Sequence, residues 1–213
     1  MWELIKSGGW LMGPLIALSI VSLALILERF WSLQRRRIIP RHLLAQVWHQ
    51  LKSRTFTDTS LRELRQDSPL GRVLAAGIVN MNHERAIMVE SIEDVGRQEA
   101  HELGRYLNTL GTIAAISPLM GLLGTVLGMI KMFNGVNAMG MANASLVAGG
   151  IAEALLNTAM GIIVAIPSLM AYRYFRGWVD SLVLDMEREA LKLVEVIHGQ
   201  RERDKEFAME GGK

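Results

Sequence analysis

Three runs of uncharged, mostly apolar residues, Ser7–Leu27, Tyr106–Ile130 and Ala154–Tyr172, alternate with segments in which apolar residues recur at helical spacing among charges. Each run reaches the roughly 18–20 residues that a helix needs to cross a bilayer core. Between the first two runs, Leu43, Leu44, Val47 and Leu51 give a helical pattern over His42–Lys52. Asp67-Ser68-Pro69 reads as a cap with proline in the first turn of a helix starting near Leu70. Ile87–Glu102 is helical in composition and, with no proline following, is expected to continue unbroken into the second run. Ser53–Ser60, rich in Ser and Thr, is the expected loop. After the third run, Val179, Val183, Met186, Ala190, Leu193 and Ile197 form a seam at intervals of 4-3-4-3-4. It suits packing against this chain or against another subunit. From Arg201 onward the pattern frays. The expected fold is an all-α integral membrane protein with three transmembrane helices and long helical extensions.

The first run has Lys6 before it, yet it is longer than a signal h-region and no small-x-small cleavage site follows. Glu28-Arg29 and Arg35-Arg36-Arg37 end it, so it reads as a retained helix. Charge then sets the topology. Twelve of the 23 Lys/Arg lie in Arg35–Arg105, eight lie from Arg173 onward, and Asn134–Gly150 carries none. Lys and Arg accumulate on the cytoplasmic side, which puts both charged segments inside and the N-terminus outside. The expected layout is a periplasmic N-terminus at 1–7, spans at 8–28, 106–133 and 149–175, and a cytoplasmic helical insert at 29–105. A periplasmic loop occupies 134–148, and a cytoplasmic helix and tail occupy 176–213. Cysteine is absent and the five histidines form no ligand-spaced cluster, so neither a disulfide framework, a metal site nor any other cofactor is expected. A net charge of +2 is no argument for nucleic acid despite a pI of 9.1.

Between Arg105 and Arg173 only Lys131 and Glu153 are charged. Lys131 stands where an apolar run gives way to a Gly/Asn segment and is expected to reach the surface. An acid in a span is costly and usually serves ion or proton movement. Ser117, Gly121, Gly124 and Gly128 recur at 4-3-4 spacing in the second span; Ala154, Thr158, Gly161, Ala165 and Ser168 line the third. Such stripes let helix backbones approach closely in lipid. Pro118 and Pro167 are expected to bend these helices locally. Thr125 and Thr158 fall at similar depth, roughly 12–14 Å from the outer surface at ~1.5 Å per residue. They suit a ring of hydroxyls around an axis, or else each bonds its own i−4 carbonyl. Glu153 lies about 140° around the helix from Thr158. It aligns instead with Asn157, about one turn from the outer surface, at a helix interface or beside water.

The runs LGTIAAISPLMGLLGTVLGMIKMF (Leu110–Phe133) and AGGIAEALLNTAMGIIVAIPSLMAY (Ala148–Tyr172) strongly resemble the ExbB/TolQ/MotA family of proton-channel stator subunits, its ExbB and TolQ branch above all. The resemblance implies a homopentamer in the lipid of the bacterial inner membrane, around two copies of a single-span partner of the ExbD or TolR type. Proton flow would turn that partner and transmit force to a TonB- or TolA-like protein. It also implies that Thr125 and Thr158 line the pore opposite a partner aspartate. Glu153 matches the glutamate of the family's IAEAL motif; it and Asn157 are read as interface or proton-path-tuning residues, with the transferable proton assigned to the partner aspartate between Thr125 and Thr158. Asn157 replaces a common small apolar residue, and Gly149-Gly150 replaces a common Pro-Gly, which bears on the surroundings of Glu153. The reading is a proton-driven motor subunit and not an enzyme, since the spans hold no nucleophile–base pair and GLLGTVLG lies within a membrane helix rather than beside a strand. The alternative is a non-conducting structural scaffold. ExbB and TolQ roles are not distinguished.

Overall fold

The computed structural model describes residues 8–53, 56–139 and 144–210. Among them every regular element is a helix: α1 Met12–Ser32, α2 Arg35–Ile38, α3 Leu43–Lys52, α4 Asp58–Asp67, α5 Pro69–Val79, α6 Arg85–Leu103, α7 Leu107–Met139 and α8 Ala144–Glu210. Three stretches are long and apolar enough to cross a membrane: Met12–Ser32, Leu107–Gly135 and, within α8, Val147–Gly199. The expected N-terminal segment 1–7 and positions 140–143 of the expected 134–148 loop lie outside the described residues. The chain divides into two compact units, Met1–Phe30 with Tyr106–Arg176, and Trp31–Arg105 with Gly177–Lys213.

In the first unit, Leu15, Leu110, Ile113, Ala114, Val164 and Ala165 are buried. Leu23, Leu119, Leu122, Ile163 and Met170 are exposed. A water-soluble domain would bury such residues, whereas lipid or neighbouring subunits cover them at no cost in hydration. Small residues such as Ala114, Ser117, Ala154, Ala165 and Ser168 are among those inside, and many large apolar ones face outward, which is how helices pack when lipid is the solvent.

The second unit follows the rules of water. Ser68 caps α5, its Oγ accepting from the Gly71 N–H at 3.1 Å, with Pro69 in the first turn. The apolar faces of α5 and α6 bury Leu70, Val73, Leu74, Met88 and Ile92. In α8 the residues Val179, Leu182, Met186, Ala190, Leu193 and Val194 are buried as well. The seam is therefore largely covered within one chain, with Leu182 and Val194 joining it and Val183 and Ile197 at its half-buried margins. Polar contacts pin the α8 portion: the Trp178 indole N–H donates to the Leu33 carbonyl at 2.9 Å, and Arg35 pairs with Asp185 at 2.8 Å. Arg72 makes a two-pronged pair with Glu99, the second prong at 2.6 Å. Glu99 is buried. That hydrogen bond raises the Arg72 pKa above its ordinary value; burial opposes it, and the charges of Glu99 and Glu102 add to it. A cation held this way keeps its proton, so its contribution to stability is not lost as pH rises through the physiological range.

Several boundaries differ from the sequence expectation. The helix over 85–103 does not run into the second span. Gly104 closes α6 with its N–H on the Ala100 carbonyl while the Arg105 N–H donates to the Glu102 carbonyl, and Tyr106 adopts a positive φ of 21° before α7 begins. Proline is not needed to end a helix when a glycine cap and an αL-side residue do so. The Arg29 guanidinium lies 5.0 Å from the Tyr106 ring centroid and helps to fix that corner. The Ser/Thr-rich stretch is helical from Asp58, with Thr57 at the N-cap position. α7 reaches Met139 and α8 starts at Ala144, so most of the expected 134–148 loop is helix. α8 passes through the expected span end at 175, and through Arg201, to Glu210 without interruption, because no glycine–proline signal stops it. Pro118 and Pro167 both lie inside continuous helices.

Removing one member of the Arg72–Glu99 pair strands the other. Arg72→Ala is expected to destabilise the protein by about 2–4 kcal/mol, and Arg72→Met with Glu99→Met together by much less. Thermal unfolding of the full-length protein in detergent measures both.

Candidate functional site

The site is built where α7 and the first half of α8 run side by side in the first unit. A glycine on one helix lets the other come close at four points. A Cβ added to Gly161 would lie 2.6 Å from the Ser117 carbonyl oxygen. One on Gly121 would lie 3.0 Å from the Asn157 carbonyl oxygen and 3.0 Å from the Thr158 Cα. One on Gly124 would lie 2.8 Å from the Asn157 Cγ, and one on Gly128 would lie 2.9 Å from the Ala154 Cβ. The pairs descend one sequence as they ascend the other, so the helices are antiparallel. The two small stripes therefore face each other within one subunit, and Ala165 is buried on the same side of α8. α1 joins them through a hydrogen bond between the Ser22 and Ser168 hydroxyls at 2.6 Å, both buried, with Ser168 also donating to the Val164 carbonyl at 2.6 Å.

The two threonines differ in what they bind. Thr125 donates to the Leu122 carbonyl of its own helix, three residues back, at 2.6 Å. Thr158 does not bond its own helix but donates across the seam to the Gly121 carbonyl at 3.2 Å. The expected i−4 bond thus occurs at neither. Since Gly121 stands one turn from Thr125, the two hydroxyls lie within about one helical turn of each other in depth. Both are half-buried. A carbonyl can only accept, so each hydroxyl has its proton committed and presents lone pairs alone. Such oxygens accept a hydrogen bond from a protonated acid and offer nothing to a carboxylate.

Asn157 is 1 % exposed and is directed into the gap left by Gly124, with its Oδ1 making no hydrogen bond. The side chain fits because Gly124 has none. Glu153, one turn away, forms an ion pair with Lys131 of α7: Nζ and Oε1 are 2.6 Å apart. Lys131 remains half-exposed, so it reaches the surface as expected while also holding the acid. The Gly8–Gly9 turn preceding α1 lies against this pair. Gly9 has φ +68°, and a Cβ there would occupy the place of the Glu153 Oε1 and stand 3.4 Å from the Lys131 Nζ. Sequence reasoning did not connect Lys131, Gly9 or Ser22 to the site. The opposite signs of the only two charges between Arg105 and Arg173 were an available signal for the first of these.

Residues 65–188 match the model of the MotA/TolQ/ExbB proton channel family. The chain belongs to that family. A putative biopolymer transport protein, ExbB-like 3 from Synechocystis sp., is 31% identical over 209 residues, covering 95% of this chain and 98% of the relative. The Tol-Pal system protein TolQ of Haemophilus influenzae is 30% identical over 205 residues, covering 87% and 86%. The biopolymer transport protein ExbB of Salmonella typhimurium is 45% identical over 83 residues, or 37% of this chain and 34% of that one. The ExbB and TolQ names among relatives that span the chain put this MotA/TolQ/ExbB protein in the ExbB/TolQ branch, whose members are transport and channel subunits. With three membrane-length apolar helices, it is a multi-pass membrane protein.

Backbone contact at the seam leaves no room for larger side chains. Gly121→Val and Gly161→Val are each expected to lower the melting temperature in detergent strongly, whereas Gly135→Ala, where nothing lies within 4 Å, is expected to be neutral within about 0.5 kcal/mol.

Proposed function

We propose that the protein is the channel-forming stator subunit of a proton-driven motor of the ExbB–ExbD or TolQ–TolR type. Five copies surround the spans of two single-span partner subunits in the bacterial inner membrane. The N-terminus is periplasmic. The segments at 29–105 and 176–213 extend into the cytoplasm, consistent with their Lys/Arg excess. Thr125 and Thr158 form the ring that faces a partner aspartate. Proton motive force is thereby converted to work on a TonB- or TolA-like protein that reaches across the periplasm.

The observation that carries this reading is the state of the two hydroxyls. With both protons committed to the Leu122 and Gly121 carbonyls, the ring receives a protonated aspartate by accepting its O–H. It offers no donor to the ionised form. The ionised partner must turn away toward water or a cation, and reprotonation brings it back. A scaffold with no ion path would use the same glycine seam, but it has no need of two hydroxyls at one depth.

Proton flux into proteoliposomes containing the protein with its single-span partner tests the proposal. Thr125→Val with Thr158→Val is expected to abolish flux while the complex still assembles. Thr→Ser at both positions, which keeps the hydroxyls, is expected to retain most of it. Full flux from the double valine variant, or none from the wild-type complex, would overturn the channel reading in favour of the scaffold.

A further inference from the structure

Glu153 is the only acid between Arg105 and Arg173, and a lone acid in a span invites the role of proton carrier. Its surroundings argue otherwise. The Glu153 carboxylate does not stand free beside the threonines. It is bound to Lys131 at 2.6 Å, with the acid side chain mostly buried and the lysine half-exposed. The pair bridges α7 and α8 between two places of close approach: Gly128 against Ala154 on one side, and on the other Gly150, where an added Cβ would lie 3.0 Å from the Met132 Cβ. The Gly8–Gly9 turn closes over it. Gly9 is in the left-handed region, which a side chain rarely adopts, and its missing Cβ is what makes room for the carboxylate oxygen. Gly8 lies beside the same cluster: a Cβ added there would stand 3.4 Å from the Asn157 Oδ1. Three separate segments of the chain thus converge on one carboxylate.

We propose that Lys131 and the Gly8–Gly9 turn are positioning elements that hold Glu153 as a charged strut between α7 and α8. Glu153 then acts on the proton path by fixing the spacing of the two helices outward of Thr125 and Thr158, and not by carrying the proton. This rests on the proton-channel reading above. The physical basis is the asymmetry of buried ion pairs: removing one partner strands a charge, while removing both leaves nothing stranded. A carrier obeys a different rule, because no second substitution can restore a lost carboxylate.

The test is a double-mutant cycle on the protein reconstituted with its single-span partner, reading proton flux per assembled complex and melting temperature in detergent. For a strut, Lys131→Met alone is expected to lower flux about fivefold or more and to lower the melting temperature, because it strands the mostly buried Glu153 carboxylate. Lys131→Met with Glu153→Gln is expected to recover most of both. Gly9→Ala is expected to behave like Lys131→Met, while Gly13→Ala, which meets nothing within 4 Å, leaves both readings unchanged. Loss of flux in the double variant with normal assembly, or near wild-type flux from Lys131→Met, would overturn the strut. If the wild-type complex conducts no protons, the channel reading fails separately. The strut is then judged by melting temperature alone: recovery in the double variant supports it, and simple addition of the two single losses overturns it.

Discussion

Everything in the membrane-length part of this protein depends on how close the backbones of α7 and α8 can come. Lipid supplies no hydrophobic drive for two apolar helices to associate, because hydrocarbon tails solvate leucine as well as another leucine does. What remains is dispersion between surfaces in contact and hydrogen bonds that cross between them. Gly161 against the Ser117 carbonyl, and Gly121 against the backbone of Asn157 and Thr158, bring main chain onto main chain. That approach then permits the next interaction. Only because Gly121 has no side chain can the Thr158 hydroxyl reach its carbonyl. The glycine stripe and the threonine are therefore one arrangement.

The same closeness decides which polar groups the spans can hold. In a low-dielectric setting an unmet polar atom is expensive, and most of those here have found partners: Ser22 with Ser168, Thr158 with Gly121, Lys131 with Glu153. Among the described residues the His198 Nε2 and the Asn157 Oδ1 are buried without a hydrogen bond, and of the two Asn157 is the one beside the threonines. Asn157 occupies the space opposite Gly124, where the side chain is accommodated by shape and not by pairing. Polar atoms without partners are uncommon in folded interiors and tend to cluster at working sites, and this one sits one residue from Thr158.

Outside the apolar stretches the logic reverses. α5 and α6 bury leucine, valine, methionine and isoleucine and display charge, with a capped start at Ser68 and a paired carboxylate at Glu99. α8 obeys both regimes along its length. Toward its N-terminal end it turns Ala154, Gly161 and Ala165 toward neighbouring helices, and beyond Arg176 it presents Leu182, Met186 and Leu193. A single helix thus changes which residues it hides as its solvent changes.

Much was legible in the chain because periodicity and charge act locally. Apolar run length identified three membrane-length helices, Ser68-Pro69 marked the start of α5, and the 4-3-4 spacing of Ser117, Gly121, Gly124 and Gly128 marked a face built for close packing. Helix ends were harder: Gly104 with Tyr106 stops a helix as firmly as a proline, and nothing in the composition of 134–139 announces that α7 continues. The wheel angle separating Glu153 from Thr158 follows from one helix alone. That Lys131, 22 residues away, holds Glu153, that Gly9 leaves room for it, and that Thr158 bonds Gly121 and not its own helix are decided only by the fold. Each depends on the relative rotation and separation of helices distant in sequence, quantities that a local pattern constrains only to a face and that close packing sets to within an ångström.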